Sequence, residues 1–183
     1  MIPELGQIAL ILALCVAVVQ AVVPLAGAQL GIPGWIAAAR PLARTQLLFL
    51  AISFAILTYS FLVHDFSVAY VAKNSNTQLP VLYLVSGVWG AHEGSLLLWA
   101  LMLSLWGGVM SFFSRSVPEP MVARVIGVLG LVTIGFLLFM LLTSNPFDRL
   151  MSVPAEGRDL NPLLQDPGLA FHPPMLYMGY VGF

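Results

Sequence analysis

Three histidines, two of them followed by an acid, are the residues of this chain best suited to chemistry. His172 directly precedes Pro173 and Pro174. Proline favours the first turn of a helix, so this spacing predicts His172 at or near the N-cap of a helix that begins near Pro173. The positive end of a helix disfavours imidazolium, which leaves a ring lone pair free for a metal such as haem iron. The plainer alternative is a histidine that caps the helix or touches lipid headgroups. The pair His92-Glu93 lies between Gly90 and Gly94, and glycines let another backbone or a ligand come close. With Trp89 beside it, this pair is a second candidate for cofactor contact. A glutamate at the mouth of a span could instead relay protons or pair with an arginine, and Trp89 and Trp99 could be interfacial anchors. His64-Asp65 reads as a polar pair ending an apolar run. The amide cluster KNSNTQLP at 73–80 can satisfy loop backbone or bind a polar partner.

Other site chemistry is missing from the sequence. It has no H-E-x-x-H, no phosphate-binding glycine loop and no C-x-x-C-H for covalent haem. Cys15 stands alone, so no internal disulfide can form, and it is expected as a small buried hydrophobe.

The elements that must position these residues are membrane spans. The 183 residues are 60% hydrophobic and 8% charged, whereas soluble domains are roughly a quarter charged. A net charge of -1 gives no basic field for nucleic acid. A bilayer core needs about 20 apolar residues per helix. Four stretches qualify, at 5–28, 46–63, 96–113 and 122–143, and a fifth begins near Pro173 and stops half-way at Phe183. The run 5–28 is too long for a signal peptide and lacks its basic flank. The half span suggests a piece of a longer or split protein. The expected fold is therefore an all-α polytopic membrane protein forming a single membrane domain over 1–183. The stretch 80–95, with its short apolar run at 80–89, is predicted to be an interfacial helix leading into the third span.

Arginine density sets the orientation. Arg40 and Arg44 fall in the predicted loop 29–45, and Arg115 and Arg124 in 114–124. The positive-inside rule puts these loops in the cytoplasm. The N-terminus and the loops 64–95 and 144–172 then face outward. The outward loop 151–174 carries Pro154, Pro162, Pro167, Pro173 and Pro174 between apolar anchors such as Leu160, Leu164 and Phe171. Fixed φ values make it a shaped loop rather than a slack tether.

Five strings within this frame are specific. They are MIPELG at the start, NSNTQLP (74–80), WGAHEGSLLLW (89–99), TSNPF (143–147) and EGRDLNPLLQDPGLAFHPP (156–174). Together they closely resemble the N-terminal third of the CcmF family, the haem lyase membrane subunits of cytochrome c maturation; the nitrite-reductase-associated paralogues are similar. The resemblance implies cytochrome c-type biogenesis on the periplasmic side of a bacterial inner membrane, rather than a mitochondrial one. It implies haem b as substrate, received from the haem chaperone CcmE. The haem would be presented to apocytochrome c held by CcmH and CcmI. It also implies that His172 is an external axial ligand to haem iron, with Pro173 and Pro174 beside it. Asn161, Gln165 and Asp166 are then expected to contact that site or a partner. The family's tryptophan-rich signature, its second external histidine and the ligands of its intramembrane haem are not in these residues. The piece alone is expected to be inactive. The rival class is a transporter or proton-conducting subunit that uses His92 and Glu93.

Overall fold

Long uncharged runs can satisfy their backbone in lipid only as helices, and the chain folds that way. The computed structural model describes residues 1–182. The helices are α1 (Ile2–Leu30), α2 (Pro33–Ala37), α3 (Ala39–Leu62), α4 (Ala69–Asn74), α5 (Val81–Gly87), α6 (His92–Phe113), α7 (Glu119–Thr143) and α8 (Pro167–Gly182), with a 3₁₀ turn at Pro162–Leu164. Among the described residues four segments are long and apolar enough to cross a membrane: α1, α2 with α3, α6 and α7.

Small residues draw these helices together. The inner stripe of α1 runs through Gly6, Ala9, Ala13, Ala17 and Ala21. Against it α7 sets Ala123, Gly127 and Gly130. A Cβ at Gly130 would lie 3.0 Å from the Ala21 nitrogen and 3.2 Å from the Ala17 oxygen, so the two backbones touch there. Close backbone approach through small residues is how membrane helices gain packing without a hydrophobic drive between them. Gln20, fully buried on the same stripe, donates from Nε2 to the Ile126 carbonyl at 3.0 Å.

Several sequence expectations shift. Residues 29–45 do not form a loop. Gly31 turns α1 off in the left-handed conformation (φ 68°), and helix resumes at Pro33, so Arg40 and Arg44 sit on the opening turns of α3. Cys15 is exposed. The buried stripe of α1 is made mostly of small residues, and Cys15 falls outside it. The helix expected near Pro173 begins at Pro167, capped by Asp166, whose Oδ1 accepts from the Leu169 amide at 3.1 Å. The third long helix starts at His92 rather than at 96, directly after the short α5.

Candidate functional site

The strings singled out in the sequence close on one another at the end of the bundle where α1, α6 and α8 begin and α3 and α7 finish. MIPELG meets TSNPF. Phe147, buried, fills the space a side chain on Gly6 would occupy, and Asn145 turns the chain there by accepting the Phe147 amide at 3.0 Å. Arg149 then bridges Glu4 at 3.3 Å and Asp65 at 3.4 Å. The loop after α7 runs along α4 through backbone bonds. Ala69 N–H donates to Asp148 at 2.8 Å, Leu150 N–H to Ser67 at 2.9 Å, and Arg158 N–H to Ala72 at 2.7 Å.

NSNTQLP clasps EGRDL in turn. Both carboxylate oxygens of Glu156 accept from Thr77, from its amide at 3.0 Å and its hydroxyl at 2.7 Å. These bonds hold the Glu156 carboxyl below the ordinary glutamate range.

WGAHEG is held from below by Tyr70, which the sequence reading passed over. Its hydroxyl donates to the Val88 carbonyl at 3.0 Å and accepts from the Ala91 amide at 3.2 Å. Burial pushes its phenol up, out of reach of ordinary pH. The signal was there, since Val68 to Ala72 is an apolar run inside an otherwise polar loop. Gly94 has no room for a side chain, because the Val88 carbonyl and the Tyr70 hydroxyl fill that space. The approach it permits is therefore the chain's own.

Above this turn, Trp89 lies parallel to Phe54, with ring centroids 6.4 Å apart, and its Nε1–H donates to the Ala170 carbonyl at 2.9 Å. That carbonyl is the one that would accept from residue 174 in an uninterrupted helix. Pro174 has no N–H to give, and the indole supplies the missing donor. Further down, α8 leans on α6 where Tyr177 stacks on Trp99, centroids 5.2 Å apart.

His172 therefore stands in the second turn of α8, two residues beyond the Trp89 anchor. It is not at the N-cap, and helix-end charge fades within one turn. Its availability follows instead from exposure; Leu163 (72% exposed), Leu169 (43%) and Phe171 (61%), close to it in the chain, are exposed as well. Pro173 and Pro174, next in the chain, are half-buried. Asn161, Gln165 and Asp166 shape the approach to the helix. The Asn161 side chain accepts the Leu163 amide at 3.1 Å, and Gln165 donates to the Leu160 carbonyl at 3.0 Å and to Asp159 at 3.2 Å. His92, exposed, places Nδ1 3.1 Å from the Ser144 hydroxyl and meets Phe139 edge-on. Glu93 is half-buried one residue on. His64 closes α3 with a left-handed φ of 53°. Among the described residues no three His, Cys, Asp or Glu side chains gather as a metal site. An exposed imidazole is a side chain of the type that can take one axial position on a haem iron.

The geometry defines a polytopic helical membrane protein with a hydrogen-bonded loop cap on which His92 and His172 are exposed. Residues 89–183, from Trp89 to the end of the chain, match the family model described as cytochrome C assembly protein, and the chain belongs to that family. It is 62% identical over its whole length to the cytochrome c-type biogenesis protein CcmF of Pseudomonas fluorescens and 55% identical to that of Escherichia coli. It is 49% identical to the cytochrome c-type biogenesis protein NrfE of Haemophilus influenzae. The fold superimposes on a solved cytochrome c haem lyase CcmF with a TM-score of 0.86 at 28% identity, covering all of this chain. The chain spans about 28% of the length of these CcmF relatives.

Proposed function

We propose that this chain is the N-terminal part of a CcmF-type haem lyase and that its cap holds haem for thioether attachment to apocytochrome c. The observation that carries this reading is His172. It is exposed on a helix turn whose backbone is fixed by Trp89 and whose approach is shaped by the side-chain bonds of Asn161, Gln165 and Asp166. Haem brings the vinyl groups that become thioether-linked; the part left to this chain is positioning. His172 supplies one axial bond through its ring nitrogen. Leu163, Leu169 and Phe171 offer the apolar contact. Trp89, through Ala170, keeps the histidine from drifting as a loop residue would.

In this reading haem b arrives from CcmE, and CcmH with CcmI holds the apocytochrome. The cap and the N-terminus lie in the periplasm. The helix α8 is the upper part of a fifth span running down beside α6. The test is His172→Ala in the complete protein, with the Soret absorbance of the purified protein and the c-type cytochrome yield as readouts. Both are expected to fall. Unchanged haem content and yield would remove His172 as a ligand.

A further inference from the structure

The end of the bundle opposite the cap holds a recess of about 320 Å³ lined by Arg40, Arg44, Ser111, Phe112, Arg115 and Glu119. Three guanidinium groups meet one carboxylate there, so the lining carries an excess of positive charge. The single carboxylate is already engaged. Arg40 grips Glu119 with Nη2 at 2.9 Å and Nε at 3.3 Å, and turns its other contacts to the Ser111 and Ser114 carbonyls at 2.8 and 3.2 Å. Arg44 donates from Nε and Nη2 to Ser111 at 3.1 Å each, and its guanidinium lies 4.2 Å over the Phe112 ring. Hydrogen bonds and ring together fix the plane of that guanidinium. Arg115 is exposed at the rim. The recess is pre-ordered and cationic.

Its position narrows what it can take. It lies where α3 begins and α6 ends, at the end of two spans, which is headgroup depth. Phe112 and Phe113 are 52% and 81% exposed beside it, so the recess opens onto an apolar flank of the bundle. A ligand that fits must combine an anion for the arginines with hydrocarbon for the phenylalanines. Arginine is the side chain best matched to phosphate oxygens, and basic pockets between membrane helices recognise anionic headgroups.

We propose that this recess binds the phosphodiester of an anionic glycerophospholipid, with Arg44 and Arg115 on the phosphate oxygens and the acyl chains lying along Phe112 and Phe113. Arg40 and Glu119 form its fixed wall. The bound lipid would tie the start of α3 to the end of α6 on the side away from the cap.

The experiment uses the full-length protein, purified in mild detergent and stripped of lipid. Phosphatidylglycerol, phosphatidylcholine of the same chains, and inorganic phosphate are each titrated in. The readouts are bound lipid by native mass spectrometry and the thermal unfolding midpoint. Phosphatidylglycerol is expected to remain bound and to raise the midpoint, whereas the other two are not. Arg44→Gln with Arg115→Gln should weaken phosphatidylglycerol binding by about tenfold or more, as loss of charge-assisted contacts would. Arg158→Gln in the cap should leave it unchanged. Equal retention of the two lipids, an equal response to inorganic phosphate, or no loss in the double variant would each overturn the proposal. Should the double variant unfold, Arg115→Gln alone decides, because that side chain is exposed. Unaltered phosphatidylglycerol binding in that variant would overturn the role of Arg115.

Discussion

One missing N–H explains how His172 is held. Pro174 cannot donate to the Ala170 carbonyl, and Trp89 does so instead. Trp89→Phe keeps an aromatic ring against Phe54 and removes only the donor. The carbonyl of buried Ala170, left without a partner, costs about 1–3 kcal/mol. The expected outcome is a lower unfolding midpoint and weaker haem retention, whereas replacing Trp35, which is exposed, leaves both unchanged. Equal haem retention in Trp89→Phe and the parent would show that the indole bond does not position His172. Glu156 makes a second residue-scale test. Its carboxyl sits below the ordinary range because it accepts twice from Thr77. A depressed folded value means the stabilisation is present above the ordinary glutamate range and is lost as pH falls through the folded one. The Thr77 amide should therefore keep its protection from hydrogen exchange at neutral pH and lose it under strong acid, after correction for intrinsic exchange. In Glu156→Gln that pH dependence should vanish.

At the scale of elements, the contact between α1 and α7 depends on glycine. A methyl group at Gly130 would press on the backbone of Ala17 and Ala21, and overpacking of this kind costs about 1–3 kcal/mol. At Gly135, on the same helix, nothing lies within 4 Å, and alanine there should gain about 0.5–1 kcal/mol of helix stability. Thermal unfolding in detergent should lower the midpoint of Gly130→Ala and leave that of Gly135→Ala equal or raised. Two falls of the same size would mean that the contact is not backbone-tight. The helices themselves could be found in the sequence because length and apolarity set them. Their ends could not. The first turns of α3, α6 and α8 carry arginine, histidine, glutamate and proline, which read as loop. They are helical because neighbouring elements satisfy them: Glu119 and Ser111 for Arg40, Ser144 for His92, and Trp89 for the carbonyl that Pro174 leaves open.

For the molecule as a whole, the cap and the arginine-rich recess stand at opposite ends of the bundle, so one topology measurement fixes both. A periplasm-active reporter fused after Leu160 should be active and one after Val117 silent; the reverse pattern would invert the orientation. The amino-acid sequence by itself determined that the chain is helical and membrane-spanning, because 60% hydrophobic residues and 8% charged ones leave no water-facing surface to build. It also marked the strings that carry the family likeness, since loops rich in proline, glycine and amides keep their meaning as text. Only the tertiary structure decided that those strings pair, Gly6 with Phe147, Thr77 with Glu156, Trp89 with Ala170. Each pair joins residues far apart in the chain, and no local periodicity encodes a contact of that kind. Folding brings them together by returning every second helix to the same end, where unsatisfied carbonyls, amides and carboxylates find the donors and acceptors that the membrane does not supply.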